Sequence, residues 1–175
     1  MKIKEYIPLA IRTEVPRPIL ERYLHGTIGV CTEAAELLTF TDKANAKEEL
    51  GDICWYLAIQ FDALSQGEAY PNPSAELVYE GVRFTTEDII IMAADSLDAV
   101  KKAWFYGRPV NESKIAVNAR KTMLAVAYIA RRHGLTVPDV LEANIAKLKV
   151  RYPDKFTSEH AYSRNLEAEK EAIKS

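Results

Sequence analysis

The 175-residue sequence contains only two cysteines, Cys31 and Cys54, too few for a disulfide framework or a cysteine-based zinc knuckle. Both fall in helical patterns and read as reduced, packed residues of a cytoplasmic protein. Histidine is equally scarce. His25, His133 and His160 are preceded three positions earlier by Arg22, Ala130 and Thr157, so the Glu-x-x-His element of a di-iron bundle is missing. No His-Asp dipeptide occurs, no glycine loop leads into Gly-Lys-Ser/Thr, and there is no Gly-x-Ser-x-Gly elbow. Positive charge is not in excess: 23 Lys and Arg against 25 Asp and Glu argue against non-specific nucleic-acid binding. The longest apolar stretches, such as "IIIMAA" (89–94), fall far short of a membrane span. The first residues, "MKIKEYIPLAIRTEVPRP", carry charges where a signal peptide needs an apolar core. Period-two alternation is absent too, and no strand is predicted.

What remains is helix. Apolar residues at 20, 24, 28, 31, 34/35 and 38 predict a first helix over 17–40. A second is expected to start with Asn45 as N-cap and Glu48 as its capping-box partner, and to stop near Gly67. Prolines and glycines over 67–84 predict an inserted loop with one short helical piece. A third helix starts at the Thr85/Asp88 box and ends at Gly107-Arg108-Pro109. A fourth covers about 112–132 and ends at Gly134. A fifth follows the Thr136/Asp139 box and runs to about 150. The charged tail, 158–174, predicts a peripheral C-terminal helix. The expected fold is all-α, a helical bundle of four to five main helices in one domain spanning 1–175. Its first hairpin covers about 17–66, with the second hairpin and C-terminal helices over 85–175. The hairpins echo each other faintly: Asp95 and Asp98 stand like the first acidic pair, while Arg120, Lys121 and Leu124 replace Glu48, Glu49 and Asp52.

The acids carry the chemistry. In "CTEAAELL" Glu33 and Glu36 are three apart, and in "KEELGDICWYLAIQF" Glu49 and Asp52 are three apart. That spacing puts each pair on one helix face, and an antiparallel hairpin brings the pairs opposite each other. Glu-x-x-Glu alone reads as a solvated face. Asp52 is harder to leave in water, because "ICWYLAI" after it is apolar all round. A carboxylate there needs a partner, either a Lys or Arg or a metal. Four carboxylates without His or Cys suit Mg²⁺, with Mn²⁺ as a substitute, rather than Zn²⁺. Glu48, used as a capping partner, stays outside this set. Trp55 and Trp104 read as core.

Set in "EELGD…WYLA", these pairs resemble those of the MazG-like, all-α nucleoside triphosphate pyrophosphohydrolases. The likeness extends to "HGTIG" (25–29), to "KKAWFYGRP" (101–109), similar to that family's lysine-aromatic-glycine element, and to "N-x-x-K-L-x-x-R-Y-P" in "VLEANIAKLKVRYPDKF" (140–156). It covers most of residues 20–165. In simpler members the lysine element lies between the acidic pairs; here it lies in the second half.

The resemblance implies Mg²⁺-dependent cleavage of a (deoxy)nucleoside triphosphate to the monophosphate and pyrophosphate. The base is left open between a purine, as in dGTP or dATP, and a pyrimidine, as in dUTP or dCTP. Glu33, Glu36, Glu49 and Asp52 would hold the metal, with Glu33 or Glu36 taking a proton from water. Lys147 and Arg151, four apart on one face, would hold phosphates; Asn144, on that face too, would bond base or sugar, His25 would line the base pocket, and Lys101 is a further phosphate candidate. A homodimer or homotetramer is implied as well. The alternatives are a non-catalytic partner-binding or assembly module descended from such an enzyme, and a metal-buffering bundle.

Overall fold

The computed structural model describes residues 1–65 and 82–174. Within these, eight helices and no strands form a bundle: α1 (Ile3–Ile11), α2 (Ile19–Leu37), α3 (Lys43–Ser65), α4 (Thr86–Tyr106), α5 (Glu112–Arg132), α6 (Val137–Arg151), α7 (Ser158–Tyr162) and α8 (Leu166–Lys174). The five long helices are α2 to α6, as the periodicity predicts. Most of the 67–84 insert lies outside the described residues. Among those described, no helix is long and apolar enough to cross a membrane.

Local sequence sets most helix ends. Thr85 with Asp88 and Thr136 with Asp139 form reciprocal boxes at the starts of α4 and α6. Gly107 caps α4 at φ 63°, and Gly134 follows α5 at φ 65°, a region that side-chain-bearing residues avoid. The start of α3 differs from expectation. The Asp42 carboxylate accepts from the Asn45 N–H at 2.9 Å, and the Asn45 side chain accepts from the Thr41 N–H. The helix therefore begins three residues earlier, because Asp42 outcompetes Asn45 for the cap. Glu48 is thereby released from capping. Helix α1 was not predicted. Its apolar residues Ile3, Tyr6, Ile7 and Ala10 have helical spacing and are buried, while Pro8 points outward.

Helices α2 and α3 run antiparallel: the Tyr23 hydroxyl reaches the Ala63 carbonyl, and Gly26 and Gly29 face Gln60 and Tyr56. A Cβ on Gly29 would lie 2.1 Å from the Tyr56 ring, so this glycine is what lets the ring lie against α2. The α4–α5 hairpin packs beside the first, with α4 on α2 and α5 on α3. The main core has Leu50, Ile53, Cys54, Leu57 and Phe61 of α3 at its centre, and a smaller cluster gathers Tyr23, Ala63, Val100 and Ile115. Helices α1 and α6 cover the remaining side of α3. The tail is more deeply engaged than a peripheral helix: α8 packs on α6 and α3, burying Ile173 and Glu169.

Candidate functional site

The expected buried run on α3 is buried except for two residues. Ile53, Cys54, Leu57, Ala58 and Ile59 lie in the interior, but Trp55 and Tyr56 are half-buried and turn toward a cleft of about 510 Å³. This cleft lies beside α2, α3 and the end of α6, and its lining includes Glu33, Glu36, Glu48, Glu49 and Asp52. Trp55, read as core, packs against the main core and also lines the cleft, and its Nε1–H donates to the Ala10 carbonyl and the Thr13 hydroxyl.

Three of the four predicted acids converge. Carboxylate oxygens of Glu33, Glu36 and Glu49 lie within 4.8 Å of one another. Octahedral Mg²⁺ bonds of about 2.1 Å put neighbouring ligands about 3 Å apart and opposite ligands about 4 Å apart, so a trio spread over up to 4.8 Å would hold one cation after a small inward shift of its side chains. The oxygen-only donor set also suits Mg²⁺ or Mn²⁺. Burial first, then the charges of Asp52, Glu36 and Glu49, push Glu33 up to about 7, with Lys147 opposing. Burial and Asp52 push Glu49 to about 7 as well, against a 2.6 Å hydrogen bond donated by the Asn45 amide. The trio is thus short of positive charge.

Asp52 has its cation already. The Lys147 ammonium donates to both its oxygens, at 2.6 and 2.5 Å, and to Glu48 at 3.3 Å. Asn144 donates to Asp52 at 2.9 Å, and the Tyr6 hydroxyl donates to Asn144 at 2.7 Å. Lys147 and Asn144 are buried, at 1% and 2% exposure, so the structure gives them the task of holding Asp52 rather than meeting phosphate or sugar. The physical reason is the docking of α6. Its polar face lies against α3, where Gly51 admits Asn144 so closely that an added Cβ would sit 3.0 Å from the Asn144 Cβ. Of the three predicted polar residues of α6, Arg151, one turn further on, lines the cleft, and Asn144 and Lys147 do not.

Two more arginines, Arg17 and Arg164, line the cleft with Arg151. His25 lies at its aromatic side, edge-on to Trp55 (5.6 Å between centroids) and Tyr56 (5.3 Å). Burial lowers the His25 pKa. Lys101 is not among the lining residues. It is exposed on α4, where it and Lys102 pair with Asp98 at 2.7 and 2.6 Å. Asp95 is likewise held by Lys114 and Asn118. The second hairpin's acids therefore carry their own cations, unlike Glu33, Glu36 and Glu49.

Sequence reasoning missed Glu48, Tyr56, Arg17 and Arg164 as cleft residues. For Glu48 the misplaced helix start hid it. For Tyr56 the signal was Gly26 and Gly29, one turn apart on α2 and marking a close helix contact. Nothing local marked the arginines. Comparison with protein-family profiles, curated proteins and solved structures finds no match for this chain.

Proposed function

We propose that the protein is a Mg²⁺-dependent nucleoside triphosphate pyrophosphohydrolase of the MazG-like kind, acting on a (deoxy)nucleoside triphosphate. The observation that carries this reading is the composition of one cleft. It joins an under-neutralised carboxylate trio, guanidinium groups and an aromatic wall, the three recognition elements that a metal-bound triphosphate with a base requires. In this reading Glu33, Glu36 and Glu49 hold the cation, which when bound neutralises phosphate charge and lowers the pKa of water. Glu33 or Glu36 would accept the proton of the attacking water through a carboxylate oxygen not used as a ligand. Arg151 orients the phosphates. His25, Trp55 and Tyr56 flank the base.

The test is incubation with Mg²⁺ and each NTP and dNTP separately, reading monophosphate and pyrophosphate. Glu36→Gln is the decisive variant, because Glu36 is exposed and its replacement leaves the core intact. Turnover lost in Glu36→Gln and in chelator supports the reading, and turnover retained in both sinks it. The assembly-module alternative is favoured by exposed Trp104, Phe105 and Tyr106 at the end of α4, and it predicts no turnover of any nucleotide.

A further inference from the structure

The C-terminal tail contributes something that no motif announced. Glu169 of α8 is 2% exposed, and its carboxylate accepts from two guanidinium groups at once. Arg151 reaches it through Nε at 3.1 Å and Nη2 at 2.5 Å, and Arg164 through Nε at 3.3 Å and Nη2 at 2.7 Å. Both guanidiniums are thus gripped along the same edge, which leaves their Nη1 groups to other acceptors. Both also line the cleft that holds the acidic trio. Two cations on one anion leave a net positive charge on this wall. A buried carboxylate is costly unless paired. Here burial works against ionisation, but the bonds from Arg151 and Arg164 override it and hold the carboxyl down at about 2, so it is charged at neutral pH.

A core ion pair needs one arginine. The second, Arg164, is on the short connection between α7 and α8, with its side chain 39% exposed. Its placement adds little to the core but sets a second fork beside the first. Paired forks match the oxygens of a phosphate or diphosphate group better than any lysine does.

We infer that the C-terminal helix builds the anion wall of the cleft, with Arg151 and Arg164 binding the phosphate chain and Glu169 acting as the positioning residue that aligns them. This rests on the proposed pyrophosphohydrolase reading for its substrate class, a polyphosphate-bearing nucleotide. The wall itself is testable without turnover. Titration of the full chain with inorganic pyrophosphate in chelator, followed by calorimetry, measures the anion site with the metal excluded. Arg164→Ala is expected to weaken binding about tenfold or more, with Arg164→Lys intermediate because it keeps the charge but loses the fork. Glu169→Gln separates alignment from simple charge. Removing a negative charge beside an anion site strengthens binding if only net charge matters, whereas loss of alignment weakens it. Weaker binding in Glu169→Gln, at a melting temperature near that of the parent, supports the positioning role; unchanged or tighter binding overturns it. Pyrophosphate affinity unchanged in Arg164→Ala, or no pyrophosphate binding by the parent chain, overturns the wall. Arg164→Ala alters an exposed side chain and decides the matter even if Glu169→Gln fails to fold. Anion binding lost in Arg164→Ala, in a protein that turns over no nucleotide, refutes the enzymatic reading while the wall stands.

Discussion

Lys147→Met is the perturbation that most directly probes how the cleft is held together. The ammonium is 1% exposed and is bonded to both Asp52 oxygens and to Glu48, while methionine preserves the aliphatic bulk. Removing one partner of a buried ion pair costs about 3–5 kcal/mol, because the other charge is left uncompensated. The Asp52 and Glu48 side chains keep 25% and 24% exposure, so water recovers part of that, and about 2–3 kcal/mol is expected. For a chain of this size each kcal/mol moves the melting temperature by about 2–4 °C, so the drop should be roughly 5–10 °C. Thermal unfolding by circular dichroism in chelator measures it. Adding Asp52→Asn should restore much of the loss, since the stranded charge goes with it; this double-mutant cycle separates electrostatics from packing. Mg²⁺ should stabilise Lys147→Met more than the parent, because a released Asp52 turns toward the trio. If Lys147→Met melts within a degree or two of the parent, the pair does not neutralise Asp52, and the account of α6 as the cation donor to α3 is wrong.

Three further outcomes are expected. The Glu33 and Glu49 carboxyls titrate near 7 in the folded chain, against about 4.3 when unfolded. Their contribution to stability is therefore full below about 4.3 and is lost as pH rises to about 7. The metal-free protein should lose melting temperature over that window, a Glu33→Gln/Glu49→Gln variant should flatten the slope, and Mg²⁺ should stabilise more at pH 8 than at pH 5.5. Gly29→Ala places a Cβ inside the Tyr56 ring and should cost about 1–3 kcal/mol while displacing the aromatic wall, visible in near-ultraviolet circular dichroism and as a raised nucleotide KM. Lys101→Ala should leave pyrophosphate affinity and nucleotide KM unchanged, since Lys101 pairs with Asp98 away from the cleft; a tenfold change in either would bring the α4 end into the site.

The helices and their ends were legible because their signals are local. Thr85 with Asp88, Thr136 with Asp139, Gly107 and Gly134 each act within one turn of chain. The acidic set was legible in part: a spacing of three fixes the face shared by Glu33 and Glu36, and the antiparallel hairpin brings Glu49 opposite them, but Asp52, read as the fourth member, is held by Lys147 instead. The start of α3 was misread because Asp42, Asn45 and Glu48 follow one another at identical spacing, and spacing cannot choose which of Asp42 and Asn45 caps the helix. Lys147 shows the limit more clearly. On the sequence it is a basic residue near a helix end, and its burial follows only from α6 docking across Gly51. Arg164 and Glu169 meet Arg151 through tertiary packing alone, so a charged, helix-prone tail gave no hint of them.

The lining of the cleft comes from residues 13–56 and 148–164, with none from the described residues between. This distribution bears on synthesis. A nascent chain that has emerged through α5 already carries Glu33, Glu36, Glu49 and Arg17 but has neither the lysine that pairs with Asp52 nor Arg151 and Arg164. Lys147, Arg151 and Arg164 join this pocket only when α6 and α8 pack over α3. On the proposed pyrophosphohydrolase reading, a chain stopped after α5 would keep the acidic trio without its anion wall and turn over no nucleotide.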